Sequence, residues 1–248
     1  MNEKLPTRLG ISPLIDAIFE IRFEAEAPLS SILTGLIFSG LSCEKVEKLP
    51  HAEIPESIRK SDPNLKYIIL HNLAWGNLTI GIGDNSITLV PRYPYPGWPV
   101  FKERIETLID FLRKLPLIKR VERFSLKYVN ILEFKHHSNI FDSLSINFSL
   151  SNRQISEKTI NMRAEIPRPS GVHIVNIIGH AIATLPSNIR FEGILVEIDS
   201  IMQLSGSSLA DGISEIKDQL KPLHQDNKTL FFDLLTKQCL IEMEPVYE

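Results

Sequence analysis

Three stretches of the 248-residue chain carry side chains of the right type and spacing to hold an anion or to stack on a ring. In residues 17–25, AIFEIRFEA, Phe19, Ile21 and Phe23 alternate with Glu20, Arg22 and Glu24, the two-residue period of a strand covered on one face. Glu20 and Arg22 therefore share a polar face, where they suit contact with a ligand and equally suit plain solvation of an open sheet. In a second long strand pattern Arg123 and Lys127 have the same parity, with Lys119 and Arg120 in the approach, a small basic patch fit for phosphate or carboxylate. Glu122 and Glu133 lend that patch the mixed charge of an ordinary exposed sheet face. The third stretch, Tyr93-Pro94-Tyr95-Pro96-Gly97-Trp98, sets three aromatics among prolines. Exposed, they offer a stacking or peptide-docking surface; folded inward, they cap the sheet and staple the next helix. Trp98 adjoins the apolar stripe headed by Phe101, so the inward orientation is expected for it.

The usual local signatures of catalysis are missing. Gly81-Ile82-Gly83 lacks the third glycine of a phosphate loop and falls in a hairpin pattern, not before a helix whose amides would converge on pyrophosphate. Of seven histidines, the adjacent His136 and His137 have no patterned carboxylate or cysteine beside them, and His173 and His180 stand seven residues apart, on opposite faces of one strand pattern. Cys43 and Cys239 have no second cysteine or local histidine and read as buried or incidental thiols. Gly206-Ser207 lacks the strand-turn-helix setting of a nucleophile elbow. Glu197 and Asp199 share a strand parity, but a carboxylate pair without a third ligand is a weak basis for acid-base or magnesium chemistry. The local patterns thus supply no catalytic residue, no metal ligand set and no cofactor, which favours a non-enzyme over an enzyme and leaves open a site assembled only by the fold.

The elements that must position these residues are mostly strands. Residues 30–40 suggest a helix beginning near Ser30 and closing at Gly40. Residues 44–65, broken by Pro50, Pro55 and Pro63, read as a connection with at most one helical turn. KYIILHN, NLTIGI and SITLVPR, parted by Trp75-Gly76-Asn77 and Gly83-Asp84-Asn85, form a meander. Phe101, Ile105, Leu108, Ile109 and Leu112 define one helix stripe, and residues 123–134 a long half-buried strand. Beyond Lys135–Asn139, SLSINFSL, TINMRAEIPR, GVHIVNIIGHAIATL and FEGILVEIDSIMQL predict a four-stranded antiparallel sheet. Leu209, Ile213, Ile216, Leu220 and Leu223 then mark a helix, TLFFDLLT a second one and CLIEMEP a last strand. The class is α+β, mainly antiparallel sheets with helices packed on one face, in two sheet-bearing halves, 1–135 and 140–248, which are either separate or parts of one continuous domain.

Composition narrows the setting. Twenty-seven Lys and Arg against thirty Asp and Glu give a net charge of −3, so no global basic field draws the chain to nucleic acid or anionic lipid. Two cysteines suit a reducing cytosol better than a disulfide framework. No stretch approaches the roughly 18 apolar residues of a membrane span, and the first ten residues lack the apolar core of a signal peptide. A cytoplasmic protein without a membrane partner is expected.

Pro13-Leu14-Ile15-Asp16-Ala17-Ile18-Phe19-Glu20-Ile21-Arg22-Phe23, the helix opening at Trp98 and Phe101, and Arg123-Phe124-Ser125-Leu126-Lys127-Tyr128-Val129-Asn130 together resemble an uncharacterised prokaryotic family described as "sporadically distributed". The region of Phe232 and the short segment after it are also similar, so the resemblance covers most of the chain. The chain has Asp16 where the family pattern has Glu and Lys127 where it has Arg, changes that keep the charge but alter reach and fork geometry. The resemblance implies no catalytic residue, cofactor or substrate; its patchy distribution implies mobile or defence-associated genes. Two functions are therefore expected from the sequence. The first is a non-enzymatic interaction protein, an accessory or immunity-type component of a bacterial conflict or defence locus, binding a protein partner or a second copy of itself. The alternative is a nucleic-acid or nucleotide-binding module in which Arg123 and Lys127 contact phosphate while Tyr93, Tyr95 or Trp98 stacks on a base.

Overall fold

The computed structural model describes residues 5–133, 140–146, 151 and 160–247. It is α+β with antiparallel sheet, and its chain gathers into two compact units. The first comprises Asp16–Leu126 and Ile201–Pro222; the second comprises Met1–Ile15, Lys127–Ser200 and Leu223–Glu248. We call them the meander unit and the hairpin unit. They are not the sequential halves 1–135 and 140–248 that the polar KHHSN stretch suggested. The division falls inside two 14-residue strands, each of which gives one part to either unit, and a break in hydrophobic pattern cannot mark a boundary that runs through a continuous strand.

The meander unit begins with β2 (Leu14–Glu24), which follows the two-residue strand β1 (Arg8–Leu9). Ile15, Ala17, Phe19, Ile21 and Phe23 are buried along β2 while Glu20, Arg22 and Glu24 stay half-covered, the burial that alternation dictates. Helix α1 (Ser30–Gly40) buries Leu33 and Ile37. The polar stretch after it is more structured than its prolines suggested. It forms strand β3 (Lys45–Lys48), a 3₁₀ turn at Pro50–Glu53 and helix α2 (Glu56–Ser61). β3 reads KVEK with all four residues exposed, so it shows no apolar alternation; its backbone pairing with Lys45 opposite Ala74 is what makes it a strand. The meander is β4 (Ile69–Trp75), β5 (Leu78–Gly83) and β6 (Ser86–Pro91). Next come α3 (Trp98–Leu112) and β7 (Arg120–Glu133). In hydrogen-bonded order the strands here run β3-β4-β5-β6-β2-β7. The stripe Phe101, Ile105, Leu108, Ile109 and Leu112 is buried, and Phe19 of β2 meets Phe124 of β7 with ring centroids 6.4 Å apart. The core residue Phe124 neighbours Arg123, which therefore takes the opposite parity, the one that also bears Glu20 and Arg22.

In the hairpin unit the order is β7-β10-β9-β8, from β8 (Asn161–Arg168), β9 (Gly171–Thr184) and β10 (Arg190–Gln203). Three of the four strands expected after residue 140 are present. Of SLSINFSL, Ser143 ends the short helix α4 (Ile140–Ser143), Leu144 makes one isolated bridge to Leu235, and residues 147–150 lie outside the described residues, as do His136 and His137. β7 supplies the fourth strand, and β10 comes so close to it that a Cβ at Gly193 would collide with the carbonyl of Leu132.

The C-terminal region corrects two expectations. One helix, α5 (Leu209–Leu234), runs through Pro222 where two were expected, because the apolar seam Leu220, Leu223, Leu230 and Phe231 continues across the proline. CLIEM is helical, in α6 (Lys237–Glu242), since Thr236 accepts the amide of Cys239 and caps it; the strand that follows, β11 (Pro245–Val246), pairs with β1. Among the described residues no helix is long and apolar enough to cross a membrane.

Candidate functional site

Polar side chains of β2 and β7 build a charged cleft in the meander unit. Glu20 and Arg22 are two residues apart on β2, and Arg123 comes from β7, its hydrogen-bonded neighbour. Arg22 Nε donates to Glu20 Oε1 at 2.5 Å, and Arg123 Nη2 donates to Glu20 Oε2 at 3.3 Å. One carboxylate thus ties two guanidinium groups while using a single nitrogen of each. The remaining donors are left for something else, and Arg123 Nε is buried without a hydrogen-bond partner among the described residues. All three side chains are largely covered, at 17% exposure for Glu20, 29% for Arg22 and 15% for Arg123.

These arginines line a cleft of about 410 Å³ together with Tyr67, Arg120, Glu122 and the end of β10 at Gln203 and Leu204. Arg22 lies over the Tyr67 ring at 4.3 Å and Lys66 over the same ring at 4.7 Å. The Tyr67 hydroxyl donates to Glu122 Oε2 at 2.8 Å, and Lys66 Nζ is 3.7 Å from Glu122 Oε1. Hydrogen bonding to Tyr67 is the main cause that raises the Lys66 pKa, with Glu122 adding to it. At the rim, Arg120 Nε donates to Glu24 Oε2 at 2.7 Å and Lys119 Nζ to Oε1 at 3.0 Å, and these two bonds hold the Glu24 carboxyl below its ordinary range. Five cations (Arg22, Lys66, Lys119, Arg120, Arg123) face three carboxylates (Glu20, Glu24, Glu122), a local positive excess in a chain of net charge −3.

The structure therefore brings together Glu20, Arg22 and Arg123 from the expected set. Lys127 lies in the hairpin unit, four residues and about 13 Å along the strand from Arg123. There its Nζ is 3.8 Å from Glu197 Oε1, which also accepts the Asn176 amide at 2.7 Å. The aromatic loop does not line the cleft with Arg123. Tyr95 packs edge-on against Phe101 with ring centroids 5.8 Å apart, Trp98 is half-buried as the first residue of α3, and Tyr93 is 44% exposed. Tyr67 and Gln203 gave no signal in the sequence, because only strand pairing carries them to Arg22 and Arg123.

The hairpin unit has a polar cluster of another kind. Asn227 Nδ2 donates to Ser200 Oγ at 2.7 Å and to the Ile198 carbonyl at 3.1 Å, which frees the Ser200 hydroxyl to donate to His173 Nδ1, 2.6 Å away. His173 and Ser200 both have 0% exposure, so a reacting group from solvent has no access to this serine-histidine contact. Burial lowers the His173 pKa. Nearby in sequence, Ser170 donates to Asp226, and the Tyr128 hydroxyl lies 3.0 Å from His224 Nδ1. Both cysteines are buried; desolvation pushes the Cys43 thiol up and that of Cys239 to about 12, far from a reactive thiolate. Among the described residues no group of three or more His, Cys, Asp or Glu side chains could hold a metal ion. A scan against family models finds no matching family, and no curated protein matches the chain.

Proposed function

We propose that this is a binding protein without catalytic activity of its own, and that the feature it recognises is an oxyanion, phosphate or carboxylate, held by Arg22 and Arg123. The observation that carries this reading is the geometry of Glu20. It fixes two arginine forks with one nitrogen each, and their other donors stay uncommitted among the described residues while both arginines line the cleft. A guanidinium locked in place by a carboxylate loses less side-chain entropy when it takes a second anion, and such charge-assisted bonds are roughly twice as strong as neutral ones. Calorimetric titration with pyrophosphate tests the reading. Binding should weaken with added salt and fall at least tenfold in Arg22→Ala and Arg123→Ala; equal binding by wild type and both variants would remove the cleft from consideration.

The nucleic-acid form of the reading has less support, since Lys127 and the 93–98 aromatics do not join Arg123 in the cleft. The wider proposal is an accessory or immunity-type component of a bacterial defence or conflict locus, acting in the cytoplasm on a protein partner or as a homo-oligomer. Its support is the resemblance to the "sporadically distributed" family, whose two strongest segments contain Arg22 and Arg123. A stoichiometric partner recovered with wild type and lost with the Arg22→Ala, Arg123→Ala double variant would join the two levels; the same recovery from both would separate them.

A further inference from the structure

A second cavity adjoins the first along the chain, and its lining mixes small apolar residues with charged ones. It measures about 300 Å³ and lies between the segment that leaves β2 and the segment that enters β4. Ala25, Ala27, Pro28, Pro63 and Leu65 give it small apolar walls, while Asn85 and five charged residues, Arg59 and Asp84 with Glu26, Lys60 and Lys66, supply polar edges. Arg59, Asp84 and Asn85 are held in place. Asp84 is 8% exposed; its Oδ2 accepts Arg59 Nε at 2.9 Å and its Oδ1 accepts the Ser30 hydroxyl at 2.7 Å. The Asn85 amide donates to the Phe23 carbonyl at 3.3 Å, which leaves its side-chain oxygen as an acceptor.

Two chain segments connect this cavity to the arginine cleft. Arg22 lines the cleft and Ala25 the cavity, three residues apart, about 10 Å of extended chain. Tyr67 lines the cleft and Leu65 the cavity, and Lys66 between them lines the cavity while its ammonium contacts two residues of the cleft, 4.7 Å from the Tyr67 ring and 3.7 Å from Glu122. A cavity with small apolar walls and charged edges borders Lys66, and the arginines of the cleft lie beyond it. We propose that the ligand is a nucleoside phosphate, with its phosphates in the Arg22–Arg123 cleft, its base between the apolar walls at Ala25, Ala27 and Leu65, and its base edge on Asn85. This rests on the oxyanion reading of the cleft and adds to it the identity of what bears the oxyanion. Small apolar walls with a few fixed polar groups are what a planar heterocycle needs, whereas a bare inorganic anion would leave the second cavity unused. The Tyr67 ring, attended by two cations, has the task of steadying Arg22 and Lys66, so the base is placed beyond it.

Calorimetry with ADP, GDP, CDP, UDP and pyrophosphate at one ionic strength tests the inference. At least one nucleoside diphosphate should bind wild type tenfold or more tighter than pyrophosphate. Ala27→Trp, at an exposed position where folding is tolerant, should bring that nucleotide down to the pyrophosphate affinity. If none of the four exceeds pyrophosphate, or if Ala27→Trp leaves the preference intact, the base site is wrong; the oxyanion reading then still stands on the Arg123 dependence of pyrophosphate binding. If pyrophosphate binding is indifferent to Arg22→Ala and Arg123→Ala, the oxyanion reading fails and the nucleotide inference with it.

Discussion

The arginine cleft of the meander unit and the histidine cluster of the hairpin unit are both polar constellations on neighbouring strands, yet they differ in what their hydrogen bonds leave over. In the cleft, Glu20 takes one nitrogen from each of two arginines that are 15–29% exposed, so charge and donors remain in surplus beside a cavity. In the cluster, Ser200 sits at 0% exposure between Asn227 and His173, and the atom left over, His173 Nε2, has no partner among the described residues and is itself buried. Burial makes the second set intolerant of change, and partial exposure makes the first available to a ligand. Serine beside histidine is the more suggestive pair by residue type, but exposure reverses that ranking. On the proposed oxyanion reading, the cluster serves the fold and the cleft serves the ligand.

Acidification should break the hairpin unit first. Desolvation, with the Lys228 charge adding to it, brings the His224 pKa down to about 3, and burial lowers His173 in the same direction. The unfolded chain takes up these protons below its ordinary histidine pKa of about 6.5, while folded His224 stays neutral until about pH 3. Stability is therefore full above about pH 6.5 and falls as pH drops below it, by about 1.4 kcal/mol per pH unit for His224 alone, or about 2 kcal/mol at pH 5. Urea unfolding from pH 7 to pH 5 measures this, and His224→Gln should flatten the slope; a slope unaffected by the substitution would contradict the assignment.

Asn227→Ala comes next, since it strips a buried donor from both Ser200 Oγ and the Ile198 carbonyl. Leaving these acceptors unpaired should cost about 2 kcal/mol, read as a lower urea midpoint, with pyrophosphate binding at pH 7 unchanged. A loss of binding equal to that of Arg123→Ala would erase the distinction between the two regions.

For Arg123 the signs should be exchanged. Arg123→Ala leaves Glu20 its bond to Arg22, so stability should change by less than about 1 kcal/mol while pyrophosphate affinity falls at least tenfold. Arg123→Lys keeps the charge and loses the fork, and should recover only part of the affinity. Full recovery would make the cleft a simple point-charge site.

Alternation alone exposed half of this site. The parity of AIFEIRFEA and of RFSLKYVN places Glu20, Arg22 and Arg123 on polar faces, and β2 pairs with β6 on one side and lies beside β7 on the other. The same parity grouped Lys127 with Arg123, but parity fixes a face and not a distance, and four residues of extended strand carried Lys127 to other partners. Tyr67 was illegible because KYIILHN counted it into a strand, whereas it sits in the turn before β4, and Gln203 because it ends a strand 80 residues beyond Arg123. Elements were misread where the pattern was local and the cause was not. The charged strand β3 exists through its pairing with β4, and α5 passes Pro222 because its apolar seam continues.

The rim of the cleft should yield the smallest effect, and that is what sharpens the contrast within the site itself. Lys119 and Arg120 have the most conspicuous charge spacing in the approach to β7, and both bond Glu24 at 3.0 Å or less. Yet Lys119 is 60% exposed and Glu24 37%, where solvent and salt screen the pair and side-chain entropy opposes it. Lys119→Ala should leave the urea midpoint unchanged within error and lower pyrophosphate affinity by less than threefold, an effect that disappears in 0.5 M salt. Arg123 should keep most of its contribution in the same salt, because its side chain is only 15% exposed and its bonds are short-range. If Lys119→Ala and Arg123→Ala weakened binding equally and lost their effects together with salt, the cleft would be acting as a diffuse field, and the fixed forks of Arg22 and Arg123 would have no special role.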